Sequence, residues 1–134
     1  MIHHPAKPIL KHLLDFETLD AEGILYLLEQ TTHFSSLLLN KTPVQTRNNE
    51  TIASLFYEPS TRSQYSFVIA AQKLGIHCLS PNMMTLSDKK GESLIDTVRS
   101  LEAMGVDLFI LRHNANHIPH FIAGELNTHC SVIN

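Results

Sequence analysis

Apolar positions change period along this chain, and the changes divide it into elements. After Asp20, a residue type that caps helices, Ile24, Leu25, Leu27, Leu28, Phe34, Leu37 and Leu38 recur at helical rather than alternating spacing. They predict a helix to about Asn40. A polar stretch from Lys41 to Glu50 follows, carrying Pro43 and Asn48-Asn49. Thr51-Ile52-Ala53-Ser54-Leu55-Phe56 is short, apolar and bounded by turn residues, which reads as a buried strand.

Phe67, Val68, Ala70, Ala71 and Leu74 mark a second helix, closed by Gly75 in the left-handed position past a helix end. Ile76 to Leu79 is the next strand, and a loop rich in Ser, Met and Lys runs from Ser80 to Gly91. A helix from about Ser93 to Met104 carries Leu94, Ile95, Val98 and Leu101 and closes at Gly105, before a strand from Val106 to Leu111. His117 to Leu126 has a less regular helical pattern, and Ser131-Val132-Ile133 begins a fourth strand. The order after the N-terminal helix is β-α-β-α-β-α-β. Such alternation predicts an α/β fold: a four-stranded parallel sheet, doubly wound, with helices on both faces.

In a sheet of this kind ligands bind outside the carboxyl ends of the strands. The loop Tyr57 to Ser63, the loop Ser80 to Gly91 and the pair Arg112-His113 should therefore converge. Ser60-Thr61-Arg62-Ser63 lies between a strand and a helix, where unpaired N–H groups and the positive end of the helix dipole attract an anion. An isolated Ser-Thr-Arg reads more simply as a cap with a solvated arginine. Cations after the neighbouring strands, Lys89 and Lys90 with Ser87 and then Arg112, turn the balance toward a phosphate-type ligand. Arg112 directly follows an apolar strand, where a guanidinium must point toward solvent or an anion.

Composition narrows the picture. The 134 residues are 43% apolar and 17% charged, enough for one domain with a real core. Formal net charge is −3, and no dense Lys/Arg patch alternates with aromatics, so no nucleic acid partner is expected. The N-terminal residues lack the apolar core of a signal peptide and no segment approaches the length of a membrane span, which predicts a cytoplasmic chain with no membrane partner. Cys78 and Cys130 are far apart without a CxxC pair, as buried thiols would be. His113, His117 and His120 are interrupted by Pro119 and have no acid or thiol nearby in sequence, so no metal site is predicted.

Phe56-Tyr57-Glu58-Pro59-Ser60-Thr61-Arg62-Ser63 resembles the F-x-E-x-S-T-R-T-R signature of the aspartate/ornithine carbamoyltransferases. Ser87-Asp88-Lys89-Lys90-Gly91-Glu92-Ser93-Leu94-Ile95-Asp96-Thr97 is similar to the S-x-x-K-G-E-[ST]-L-x-D-T run of the aspartate branch, and Gly105-Val106-Asp107 through Arg112-His113 to its G-V-D…R-H strand. Gly91 and His113 speak against the ornithine branch. The likeness extends from about Leu13 onward with motif order retained.

The resemblance implies attack of the aspartate α-amine on carbamoyl phosphate, giving N-carbamoyl-L-aspartate and phosphate in pyrimidine biosynthesis. No metal or organic cofactor is implied. Ser60, Thr61, Arg62, Ser63 and Arg112 would bind the phosphate, with Arg62 and Arg112 the catalytic cations. Ser87 and Lys90 would reach a neighbouring subunit's site, because the family assembles as homotrimers. Two departures stand out: Ser63 and Gln64 replace the Thr and the second Arg of the signature, and the chain ends at Asn134, before the family's H-P-T-Q loop and aspartate-binding domain. The expectation is thus one carbamoyl-phosphate-binding domain over residues 1–134, with the aspartate-binding domain absent, that binds carbamoyl phosphate or phosphate without turnover. The alternative is a non-catalytic module that binds carbamoyl phosphate or docks onto a full-length subunit.

Overall fold

A computed structural model describes residues 10–83 and 93–134. Its elements run α1 (Ala21–Leu39), β1 (Thr51–Phe56), α2 (Thr61–Lys73), β2 (His77–Leu79), α3 (Leu94–Ala103), β3 (Leu108–Arg112), α4 (Ile118–Glu125) and β4 (Ser131–Ile133). All strand pairs are parallel, and the sheet order is β2-β1-β3-β4. The expected α/β sheet of four parallel strands is therefore what forms.

Alternate residues of the strands feed two cores. Ala53 and Leu55 of β1, Phe109 and Leu111 of β3 and Val132 of β4 pack with Val98 of α3 and Ile122 of α4. Ile52, Phe56 and Ile110 point the other way, onto Ala71 of α2. Helices thus cover both faces, α2 on one and α3 with α4 on the other. Ser54 sits among the α2-facing positions, fully buried, and its hydroxyl has no partner among the described residues.

Both glycine stops behave as the sequence predicts, and they explain why β2 and β3 start later than the apolar runs do. Gly75 and Gly105 have φ of +70° and +95°. Each helix then closes with paired bonds: Gly75 N–H to Gln72 O (3.1 Å) with Ile76 N–H to Ala71 O (2.9 Å), and Gly105 N–H to Glu102 O (2.9 Å) with Val106 N–H to Leu101 O (3.1 Å). The amides of Ile76 and Val106 are engaged by the helix ends, so the strand ladders begin at His77 and Leu108. At Gly75 a side chain would also collide with Asn48, whose Oδ1 lies 2.3 Å from the position of a Cβ.

One pairing has no sequence signal. The segment around Leu13 runs beside β4, with Leu13 N–H donating to Val132 O (2.8 Å) and Asn134 N–H to Leu13 O (2.9 Å). His12 Nδ1 accepts from Val132 N–H at 3.1 Å, and burial with the nearby Lys11 charge lowers its pKa. The outer edge of β4 is partly covered as a result.

Helix α1 forms as expected, with Asp20 accepting from Gly23 N–H at 2.7 Å. Its apolar stripe is not consumed by this core. Gly23 alone is buried on it, while Leu28 is 58% and Leu39 84% exposed. Helical periodicity located the helix, but burial depends on a neighbour that these residues do not supply. No described helix is long and apolar enough to cross a membrane.

Candidate functional site

The sheet order reverses at β1: from there the chain goes out to β2 on one side and, after α3, to β3 on the other. That switch point, at the carboxyl ends of β1 and β3, is where a crevice opens. Phe56 pairs with Arg112 in register, and Tyr57 N–H donates to Arg112 O at 2.9 Å, carrying the ladder one residue past the strand. The loop of Tyr57 and Glu58 is held directly against Arg112-His113.

Arg112 emerges there half-exposed and donates from Nε to Glu58 Oε2 at 3.1 Å. Its terminal nitrogens make no bond among the described residues. A guanidinium gripped through Nε keeps its outer fork aimed and available for an anion. His113 is fixed as well: its Nδ1 accepts from Ala115 N–H at 3.0 Å, which leaves Nε2 as the protonated donor in the neutral ring. The ring also lies 5.3 Å from that of Tyr57, tilted by 46°.

Helix α2 starts next to this pair. Its first intrahelical bond runs from Gln64 N–H to Ser60 O (2.9 Å), so the amides of Thr61, Arg62 and Ser63 precede it. Ser60, the N-cap, makes no side-chain capping bond, and the first turn has no acidic residue. Such a start leaves donors and positive potential open.

Two hollows flank Glu58 and Phe56. One of about 380 Å³ is lined by Ser63, Arg112, His113, Asn114, Asn116 and Asn134 among others. The other, about 420 Å³, is bounded by Ser60, Thr61, Gln64, Ser80 and Asn82. Ser63 and Arg112 therefore share a cavity, with Ser60 and Thr61 on the far side of Glu58. Arg62 is exposed and lines neither. Ser87 and Lys90 lie outside the described residues.

Gln64, the departure in the sequence signature, has a partner. Its Nε2 donates to Ser80 Oγ at 2.8 Å and ties the first turn of α2 to the chain leaving β2. Glu58 as the holder of Arg112 was not foreseen, nor were Asn114, Asn116 and Asn134 as lining. The signal for Glu58 was its place two residues beyond Phe56, the β1 residue that pairs with Arg112.

Residues 11–134 match the aspartate/ornithine carbamoyltransferase, carbamoyl-P binding domain family. The chain belongs to this family. Among its relatives, the aspartate carbamoyltransferase catalytic subunit of Carboxydothermus hydrogenoformans is 45% identical over 125 residues, covering 92% of this chain and 39% of the relative. In structure, the catalytic subunit of M. jannaschii aspartate transcarbamoylase superposes with a TM-score of 0.81 at 32% identity, over 93% of this chain and 40% of that one. The ornithine carbamoyltransferase from Pyrococcus furiosus gives 0.77 at 30% identity, over 92% and 39%. This carbamoyltransferase-family chain thus spans about two fifths of the length of the relatives it matches.

Proposed function

We propose that this chain is the carbamoyl-phosphate-binding half of an aspartate carbamoyltransferase, a cytoplasmic homotrimeric enzyme of pyrimidine biosynthesis, and that residues 1–134 bind carbamoyl phosphate without completing the reaction. The observation that carries the reading is the cavity shared by Ser63 and Arg112, beside a helix start whose N-cap hydroxyl is not used for capping. Ser60, Thr61 and Ser63 offer hydroxyls and backbone amides to the phosphate, Arg112 its outer fork, and His113 its Nε2–H to a neighbouring carbonyl oxygen. Arg62 acts at the rim as a cation that joins on binding. As phosphate leaves, negative charge grows on it, and donors already aimed there stabilise that charge more than they stabilise bound substrate. Ser87 and Lys90 complete a neighbouring subunit's site in the assembled enzyme.

Titration calorimetry of the 134-residue chain with carbamoyl phosphate and with inorganic phosphate tests the reading, with Arg112→Met as the comparison. Binding of both by the parent chain, weakened at least about tenfold in the variant, is the expected outcome, as for loss of one charged hydrogen bond. Absence of binding, or equal binding by the variant, overturns it. Formation of carbamoyl-aspartate by the purified chain would overturn the claim that it does not turn over.

A further inference from the structure

At the opposite end of the sheet, three groups of different chemistry meet. Glu102 is in the last turn of α3, and His129 and Cys130 form the end of the loop between α4 and β4. One ligand atom from each, a carboxylate oxygen, an imidazole nitrogen and the thiol sulfur, all lie within 4.8 Å of one another. Glu102 is only 8% exposed and Cys130 fully buried, whereas His129 stands at the surface. We propose that Glu102, His129 and Cys130 form a binding site for a zinc-class divalent cation, remote from the anion crevice and independent of the function proposed above.

The charge balance points to a cation. Glu102 is a buried carboxylate whose partners are hydrogen-bond donors; among the described residues no Lys, Arg or His nitrogen forms an ion pair with it. With a divalent cation bound and the Cys130 proton released to solvent, carboxylate, thiolate and metal sum to zero. The ligand set suits zinc, which takes sulfur, nitrogen and oxygen together and keeps a fourth position for water when the protein supplies three.

The scaffold is already fixed on both sides. Asn127 N–H donates to Glu102 Oε1 at 2.7 Å, orienting the carboxylate and leaving its other oxygen to the cation. Gly105 N–H holds Glu102 O, and Ser131 N–H bonds to Asp107 O at 3.0 Å just beyond Cys130. The thiol lies 3.1 Å from Val106 O, its acceptor in the metal-free state. Tetrahedral zinc needs ligand atoms about 3.5 Å apart, so closing the site from a spread within 4.8 Å takes side-chain shifts of about 1 Å. An open hollow lined by Arg99, Glu102, Glu125 and His129 gives the cation its way in.

A tag-free, chelator-treated chain titrated with Co²⁺ tests this through the thiolate-to-cobalt charge-transfer band in the near ultraviolet, followed by displacement with Zn²⁺. Cobalt held by histidine nitrogens alone gives no such band. Expected is a saturable band at equimolar metal, bleached by Zn²⁺, retained in Cys78→Ser and absent in Cys130→Ser. His129→Gln, an exposed change that leaves the core untouched, weakens cobalt binding by at least about tenfold, the scale of even an outer-shell loss. No band, a band that follows Cys78 instead of Cys130, or unchanged affinity in His129→Gln overturns the proposal.

Discussion

Helices α2 and α3 both begin at a serine, and they use it in opposite ways. Ser93 accepts from Asp96 N–H at 3.3 Å and also donates to the Asp96 carboxylate, so the positive end of α3 has its own internal anion. Ser60 makes no capping bond and no acid occupies the first turn of α2. One start is closed for stability, and the other is left open beside Arg112. The difference teaches that a serine before a helix carries no functional meaning alone. Its meaning depends on whether the first turn supplies an acid and on which end of the sheet it faces.

The strongest way to break the contrast is to give α2 what α3 has. Ser63→Asp places a carboxylate in the α2 first turn, inside the cavity shared with Arg112. Like charges set against each other cost several kcal/mol, so phosphate affinity should fall about a hundredfold or more by calorimetry. Thermal stability should meanwhile hold or rise by about 0.5 kcal/mol, because the acid complements the helix dipole. Retained phosphate binding would show that the anion sits elsewhere.

A gentler test exchanges one hydroxyl at each start. Ser93→Ala should lower unfolding free energy by about 1 kcal/mol in denaturant melts and leave phosphate affinity unchanged. Ser60→Ala should do the reverse, moving stability by no more than about 0.5 kcal/mol while weakening phosphate about tenfold. If both variants lose stability equally, the two starts are alike and the contrast fails. Ser54→Ala matches the Ser93 change in size and is opposite in sign. Its hydroxyl is buried without a partner among the described residues, and its removal should raise stability by about 1 kcal/mol with binding unaffected.

The succession of strands and helices, the glycine stops and the start of α2 at Ser60 were all legible because each depends on local chemistry: apolar runs, a positive φ, hydroxyls at a helix start. Glu58 was harder to read, since its bond to Arg112 joins residues 54 apart and follows from β1 and β3 being neighbours in register. Arg62 stands apart in the other direction. Sequence adjacency to Ser60 and Ser63 suggested a shared site, but helical rotation sends successive side chains about 100° apart, and Arg62 comes out on the exposed side. Glu102 and Cys130 are likewise distant in sequence and adjacent only once α3 and β4 are packed. On α1 the pattern was visible and its consequence was not. Leu25, Leu28 and Leu39 define a face, but whether a face is buried is decided by what lies opposite.

The smallest expected effect concerns Gln64, and it asks whether an open helix start needs extra charge or only a fixed loop. By the sequence signature this position has lost an arginine, yet its amide now tethers α2 to Ser80. Gln64→Ala removes the tether alone and should cost about 1 kcal/mol of stability or less, with phosphate affinity within about twofold of the parent. Gln64→Arg removes the same bond and adds a cation at the edge of the Ser60-Thr61 hollow, an exposed place where charge is screened by salt. Phosphate affinity should therefore rise about threefold at low ionic strength and return toward the parent value in high salt, the pattern of an exposed charge worth at most about 1 kcal/mol. A gain that survives salt would mean that the arginine touches the anion directly. A loss in Gln64→Ala as large as that in Ser60→Ala would instead make the Ser80 tether part of the binding machinery, and the openness of α2 would then depend on the loop after β2 as much as on its own first turn.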